Sequence, residues 1–340
     1  MRTIFHIGAP KTGTTAIQSA FAASRETLLQ QGICYPKTVR NVVHHGFFAA
    51  SFQPRLSRGY KFVKSLDPDL FDLDIERQSA FINDAAVSGE YETLIVSSED
   101  FFFDINFRKN KSGFDTIRTH SDSFIVAAYV RSPADHYLSI AQQTLKASHL
   151  LPEPLYRMQP ALSGWASVFP NALVVRSFQQ DVVADFCEAF LTDKQVDIVQ
   201  QKMRKNETIS SEAMCLLQEY RRENFPDAPN TLNRETTAYL TALQRADRSI
   251  EGYKKPVLRQ SIIDAVEALA GDAYWLRDNM GIQFEGFDYN PNRKKPQFTF
   301  ADLTVMEICH VDRERLDVLR AKIFKLHPMS DINRTGMGDG

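Results

Sequence analysis

Short β-branched runs recur along this chain between longer stretches of helical spacing, and that alternation commits it to a parallel sheet flanked by helices. Runs at 3–8, 93–97, 123–130 and 172–176 read as strands. A helix should follow the first from about Gly13 to Gln31, where Ile17, Ala20, Phe21 and Leu28 supply an apolar face interrupted only by Ser24. After the run Ser123–Val130 comes Arg131, then Ser132 and Pro133, a favourable N-cap and first helical residue, and a helix is expected to about Ala147. Beyond residue 200 the spacing turns mostly helical. Ala213, Leu216, Leu217 and Tyr220 follow Ser210, Ile262, Val266, Leu269 and Ala273 repeat the pattern, and no further clear strand is visible. Segments 36–75 and 225–260 are rich in Pro, Asn, Asp and Arg without clean periodicity and read as long loops. The expected fold is α/β, with a core over 1–205 and a helical part over 206–340 packed on it as one continuous domain.

Composition narrows the partners. A chain of 340 residues, 43% hydrophobic and 24% charged, can bury a large core. Forty basic against forty-two acidic residues leave a net charge of −2, so no global field draws nucleic acid or an anionic membrane, and any anion site must be local. Cys34, Cys187, Cys215 and Cys309 lie far apart with no Cys-x-x-Cys pair, which gives neither a zinc knot nor a disulfide framework and reads as reduced thiols. The first apolar run is too short and polar for a signal peptide, and no stretch of about 18 apolar residues occurs elsewhere. A cytoplasmic protein without a transmembrane segment is expected.

The chemistry begins where the first strand should meet its helix. Gly8-Ala9-Pro10-Lys11-Thr12-Gly13-Thr14-Thr15 can aim several backbone N–H groups and the positive helix end at one anion. Gly13 allows close backbone approach, and the Thr14 and Thr15 hydroxyls add donors. Gly8 and Gly13 have the separation of a Walker A loop, but position 14 is threonine where that loop needs lysine, and the lysine sits earlier, at position 11. The alternative is a solvated turn with a surface lysine.

Pro10-Lys11-Thr12-Gly13-Thr14-Thr15 after a strand resembles the 5′-phosphosulfate loop of the sulfotransferases that use 3′-phosphoadenosine 5′-phosphosulfate (PAPS), bacterial carbohydrate-type members being most similar. The resemblance implies a P-loop-type parallel sheet flanked by helices, PAPS as donor, and adenosine 3′,5′-bisphosphate as product. It also implies a second signature, an arginine at a later strand end and a serine eight residues on, both contacting the 3′-phosphate. Arg131 and Ser139 fit it. Arginine suits phosphate because its planar fork makes paired charge-assisted hydrogen bonds. On the following helix, Ser139 shares a face with Gln142, Gln143 and Lys146, a stripe that either lines the donor cleft or is solvated. The tryptophan that the cytosolic members carry after the loop is replaced here by Ala16, so the resemblance supplies no adenine-stacking residue at that position.

Leu94-Ile-Val-Ser-Ser-Glu-Asp100 ends a strand in two carboxylates, and strand carboxyl ends are where open α/β sheets place ligands. Glu99 is the first candidate for general base, as in sulfotransferase branches that use a glutamate; the alternative is that it caps the next element. His44 and His45, in a loop-like stretch, resemble the histidines of other branches and compete for that role or for acceptor contact. Arg204 and Lys205, in Met203-Arg-Lys-Asn-Glu-Thr208, are candidates to complete the nucleotide site or are a solvated charge run. The implied activity is transfer of a sulfuryl group from PAPS to a hydroxyl or amine, with a carbohydrate or glycolipid acceptor and no metal requirement. A small-molecule kinase and a non-catalytic nucleotide-binding protein are the competing readings.

Overall fold

The computed structural model describes residues 1–52, 68–102, 111–192, 195, 199 and 208–326. In chain order its elements begin β1 (Arg2–His6), α1 (Thr14–Ala23), α2 (Arg25–Leu29), β2 (Ile33–Cys34), α3 (Gly46–Ala50), α4 (Pro68–Val87) and β3 (Thr93–Ser97). Next come α5 (Asp115–Thr119), β4 (Ser123–Val130), α6 (Pro133–Thr144), α7 (Gln159–Val168), β5 (Leu173–Ser177) and α8 (Val182–Phe190). The helices α9 (Ser211–Asn224), α10 (Arg234–Arg248), α11 (Gln260–Ala268), α12 (Gly271–Met280), α13 (Val305–Ile308) and α14 (Arg313–Leu326) follow. Two compact units result. The first holds Met1–Ser132, Arg157–Arg204 and Asp272–Phe287, and the second Pro133–Tyr156, Lys205–Gly271 and Asp288–Gly340.

The first unit carries a five-stranded sheet in the order β2-β3-β1-β4-β5, parallel at every pair and flanked by helices. The period of two along β1 sends Ile4 and His6 to one face and Phe5 to the other. Ile4, Ile95, Ala127 and Tyr129 pack with Ile17 and Phe21 of α1 and with Val182 and Phe186 of α8. On the Phe5 side the core is aromatic, with Phe101, Phe114, Trp165 and Phe169 at ring centroids 5.3–6.1 Å from Phe5. Trp165 is fully buried, and its Nε1–H donates to the Phe101 carbonyl at 3.0 Å, which satisfies the one polar group that such burial would otherwise strand.

The second unit is helical. Tyr137 and Ala141 of α6 and Leu145 just after it share a core with Met214, Leu217, Leu243, Val266 and Leu319. Among its described residues the strand-like pairing is one isolated bridge, Leu258 to Cys309.

Three expectations from spacing need correction. The single helix to Gln31 is broken at Ser24, whose N–H still bonds to the Ala20 carbonyl before Arg25 starts a new short helix. Segment 225–260 contains α10: its apolar stripe is narrow, Tyr239, Leu243 and Ala246 amid charged residues, so its helix is revealed mainly by the Asn233 cap, which accepts from the Thr236 N–H at 2.7 Å. Segment 36–75 likewise holds α3 and the start of α4, with 53–67 outside the described residues. No helix among the described residues is long and apolar enough to cross a membrane.

Candidate functional site

Parallel pairing puts the carboxyl ends of β3 and β1 side by side, with His6 in register with Ser97, while β4, beside His6 at Ala127, runs on in the same direction to Val130. Backbone bonds hold the turns beyond those ends: Ile7 N–H donates to the Ala127 carbonyl at 2.9 Å and Ser98 N–H to the His6 carbonyl at 3.1 Å. The segments bearing Lys11, Glu99 and Arg131 therefore leave from one edge of the sheet. That edge, where the chain departs to β2 on one side and to β4 on the other, is where open α/β sheets bind ligands.

The loop from Ile7 to Gly13 is tightly built. Lys11 has φ 64° and Gly13, the N-cap of α1, has φ 78°, so both lie in the left-handed region, which is costly for lysine. A left-handed residue within such a turn brings neighbouring N–H groups to one side, the arrangement of anion-binding nests. The Thr12 hydroxyl donates to the Ala9 carbonyl at 2.6 Å, so this buried side chain braces the loop rather than facing a ligand. Thr15 is exposed and Pro10 half-buried. Thr14 is 4% exposed, and its Oγ1 has no hydrogen-bond partner. A Cβ on Gly8 would lie 2.1 Å from that oxygen, which is why the position needs glycine. No side chain caps α1 and no acidic residue sits in its first turn, so the positive end of the helix keeps its affinity for an anion.

Arg131 comes to this loop. Its Nη1 donates to the Lys11 carbonyl at 3.2 Å, and its guanidinium carbon lies 4.5 Å from the centroid of the Phe178 ring. Phe178 stands just past β5, its N–H donating to the Val130 carbonyl at 2.7 Å. The Phe178 ring would also meet a Cβ on Gly13 at 3.0 Å, and Val182 would meet it at 2.6 Å. Phe178 thus touches both halves of the candidate anion site, a role that a lone aromatic residue in the sequence does not announce.

The histidine pair divides. His45 is fully buried: its Nδ1 accepts from the Ser97 N–H at 3.0 Å, and its Nε2 lies 3.2 Å from the Pro36 carbonyl, which it meets as donor. Both ring nitrogens are engaged, and burial pulls its pKa from 6.5 down to about 3. His45 therefore holds the end of β3 in place and is removed as a base candidate. His44 is half-buried, and its Nδ1 accepts from the Gly46 N–H at 3.0 Å, so the neutral ring carries its proton on Nε2 and presents a donor there. A Cβ on Gly46 would lie 2.7 Å from both His44 Nδ1 and Asp100 Oδ2, so the imidazole and that carboxylate flank the same backbone atom. Glu99 and Asp100, both half-buried, open a short helical turn right after β3, and Ser98 Oγ donates to Asp100 Oδ2 at 3.1 Å.

Behind the site, His6 Nδ1 meets Ser97 Oγ at 2.8 Å, tying the loop's strand to the strand before Glu99. Burial lowers the His6 pKa to about 3. Ser139 is half-buried on α6 in the second unit, and Lys146, whose pKa is lowered by burial, lies in the turn after that helix ends at Thr144. Arg204 and Lys205 lie outside the described residues. No protein-family model matches the sequence. No curated protein is significantly similar to it.

Proposed function

We propose that this edge of the sheet is a P-loop-type donor site and that the chain is a PAPS-dependent sulfotransferase. The observation that carries the reading is the hydrogen bond from Arg131 to the Lys11 carbonyl, which joins two motifs 120 residues apart, each expected to bind one end of the same nucleotide. The residues fit such an anion. The unpartnered Thr14 Oγ1, the Gly8 and Gly13 positions where a Cβ would intrude, the uncapped start of α1, and two cations all favour phosphate groups.

In this reading Lys11 and the first N–H groups of α1 hold the 5′ end of the nucleotide, and Arg131 holds the 3′-phosphate. Bound there, the donor supplies a sulfuryl group and a leaving group whose charge is already spread over phosphate oxygens. Lys11 stabilises charge that builds on the leaving oxygen. Glu99 accepts the proton of the acceptor hydroxyl or amine, and His44, with its Nε2–H, orients an oxygen rather than taking a proton. A carbohydrate or glycolipid precursor is the proposed acceptor class, in keeping with the members that the loop most resembles.

Calorimetric titration separates this reading from its rivals. Preference for adenosine 3′,5′-bisphosphate over ATP, with or without Mg²⁺, is expected; Mg²⁺-dependent ATP binding would point to a kinase, and no binding of either to a scaffold that has only kept the loop. An acceptor screen with radiolabelled donor then identifies the substrate. With an acceptor in hand, Glu99→Gln should reduce turnover by about 10²–10⁴-fold at unchanged donor affinity.

A further inference from the structure

We infer that Phe178 is a positioning residue that aims Arg131 at the 3′-phosphate, an inference that rests on the donor-site reading above. An arginine side chain has many rotamers, and recognition of one phosphate requires that most of them be suppressed before binding. A carbonyl and a ring restrain this one. The Lys11 carbonyl accepts from one guanidinium nitrogen, and the Phe178 ring lies against the guanidinium at 4.5 Å. The carbonyl restrains one nitrogen, while the ring restrains the plane of the fork, and the plane decides whether two parallel hydrogen bonds can reach a phosphate.

Phe178 is itself held. Its N–H is bonded to Val130, the residue before Arg131, so ring and guanidinium spring from adjoining backbone on neighbouring strands. The edge of the ring abuts Gly13, where a Cβ would come within 3.0 Å, so the same side chain sets the distance between the cap of α1 and Arg131. A leucine would fill much of this space and keep the apolar contact with Gly13 and Val182. It would lack a flat, electron-rich face for the cation.

The test compares Phe178→Leu, Phe178→Tyr and wild type by titration with adenosine 3′,5′-bisphosphate and adenosine 5′-phosphate, after thermal unfolding confirms that each variant folds. Phe178→Leu should weaken the bisphosphate by about three- to tenfold, the worth of a partly buried cation–π contact, and leave the monophosphate within about twofold. Phe178→Tyr should restore the bisphosphate affinity. In an Arg131→Ala background the Leu substitution should have no further effect. Equal weakening of both ligands, or the same loss without Arg131, would make Phe178 structural and overturn the inference. If wild type binds neither nucleotide, the donor reading fails on its own. The positioning claim is then decided by NMR of the Arg131 guanidinium: restricted rotation that Phe178→Leu releases supports it, and free rotation in wild type refutes it.

Discussion

The starts of α1 and α9 carry the same backbone dipole and are treated in opposite ways. At α9 the Ser210 Oγ accepts from the Ala213 N–H at 3.2 Å, and the surrounding charges are closed on one another: Arg315 donates to Ser210 Oγ, to Glu212 Oε2 at 3.0 Å and to Asp247 Oδ1 at 2.7 Å. The Arg315 side chain is 5% exposed and that of Asp247 fully buried. At α1 the cap is a left-handed glycine without a side chain, the loop before it is held in a conformation that lysine disfavours, and the nearby arginine is half-buried against a carbonyl and a ring. A buried cation matched to two carboxylates holds helices together. A cation set against a loop carbonyl and an aromatic face stands instead beside the loop that leads into α1.

The difference can be broken from the α9 side first. Removing one member of a buried ion network leaves the others uncompensated, so Arg315→Ala should lower stability by about 3–5 kcal/mol. Urea unfolding measures this. Arg131→Ala, at a half-exposed position, should change stability by less than about 1 kcal/mol in the same assay. Similar losses for both would mean that the two arginines do the same work.

Ser210→Ala should cost less, about 1–2 kcal/mol, since it removes a helix cap and one acceptor for Arg315. A loss under a few tenths of a kcal/mol would show that α9 does not depend on its cap.

Acid acts on the first unit through two buried histidines. His6 and His45 are held neutral in the folded chain, with pKa values lowered by burial from 6.5 to about 3. The unfolded chain takes up protons below pH 6.5 that the folded chain refuses, so their contribution is full above that pH and is lost as pH falls from 6.5 towards 3. Each histidine should add about 1.4 kcal/mol of lost stability per pH unit across that window. His45→Asn, whose Oδ1 can replace Nδ1 as acceptor for the Ser97 N–H, should flatten the decline by one histidine's share in unfolding curves at stepped pH. An unchanged slope would return His45 to the titrating candidates.

What the sequence disclosed follows from the range of the interactions. Strands β1, β3, β4 and β5 were legible because each is a short β-branched or apolar run, and the candidate anion loop stood out because its glycines and lysine sit within eight consecutive residues. β2 was missed because two residues carry no period, and α10 because its buried stripe is thin. The role of His45 depends on a bond to Ser97, 52 residues away, and no local pattern encodes it. Phe178 looked like any aromatic residue after a strand. Its meaning comes only from Arg131 above its face and Gly13 at its edge.

Whether Lys11 and Arg131 face two ends of one nucleotide is decided by paired titrations of wild type and Arg131→Ala. With adenosine 3′,5′-bisphosphate, loss of the charge-assisted contact should cost about 1.5–3 kcal/mol, or roughly 10- to 150-fold in affinity. With adenosine 5′-phosphate, which lacks the 3′ group, the change should stay within about twofold. Equal loss for the two ligands would take Arg131 away from the 3′-phosphate and contradict the account.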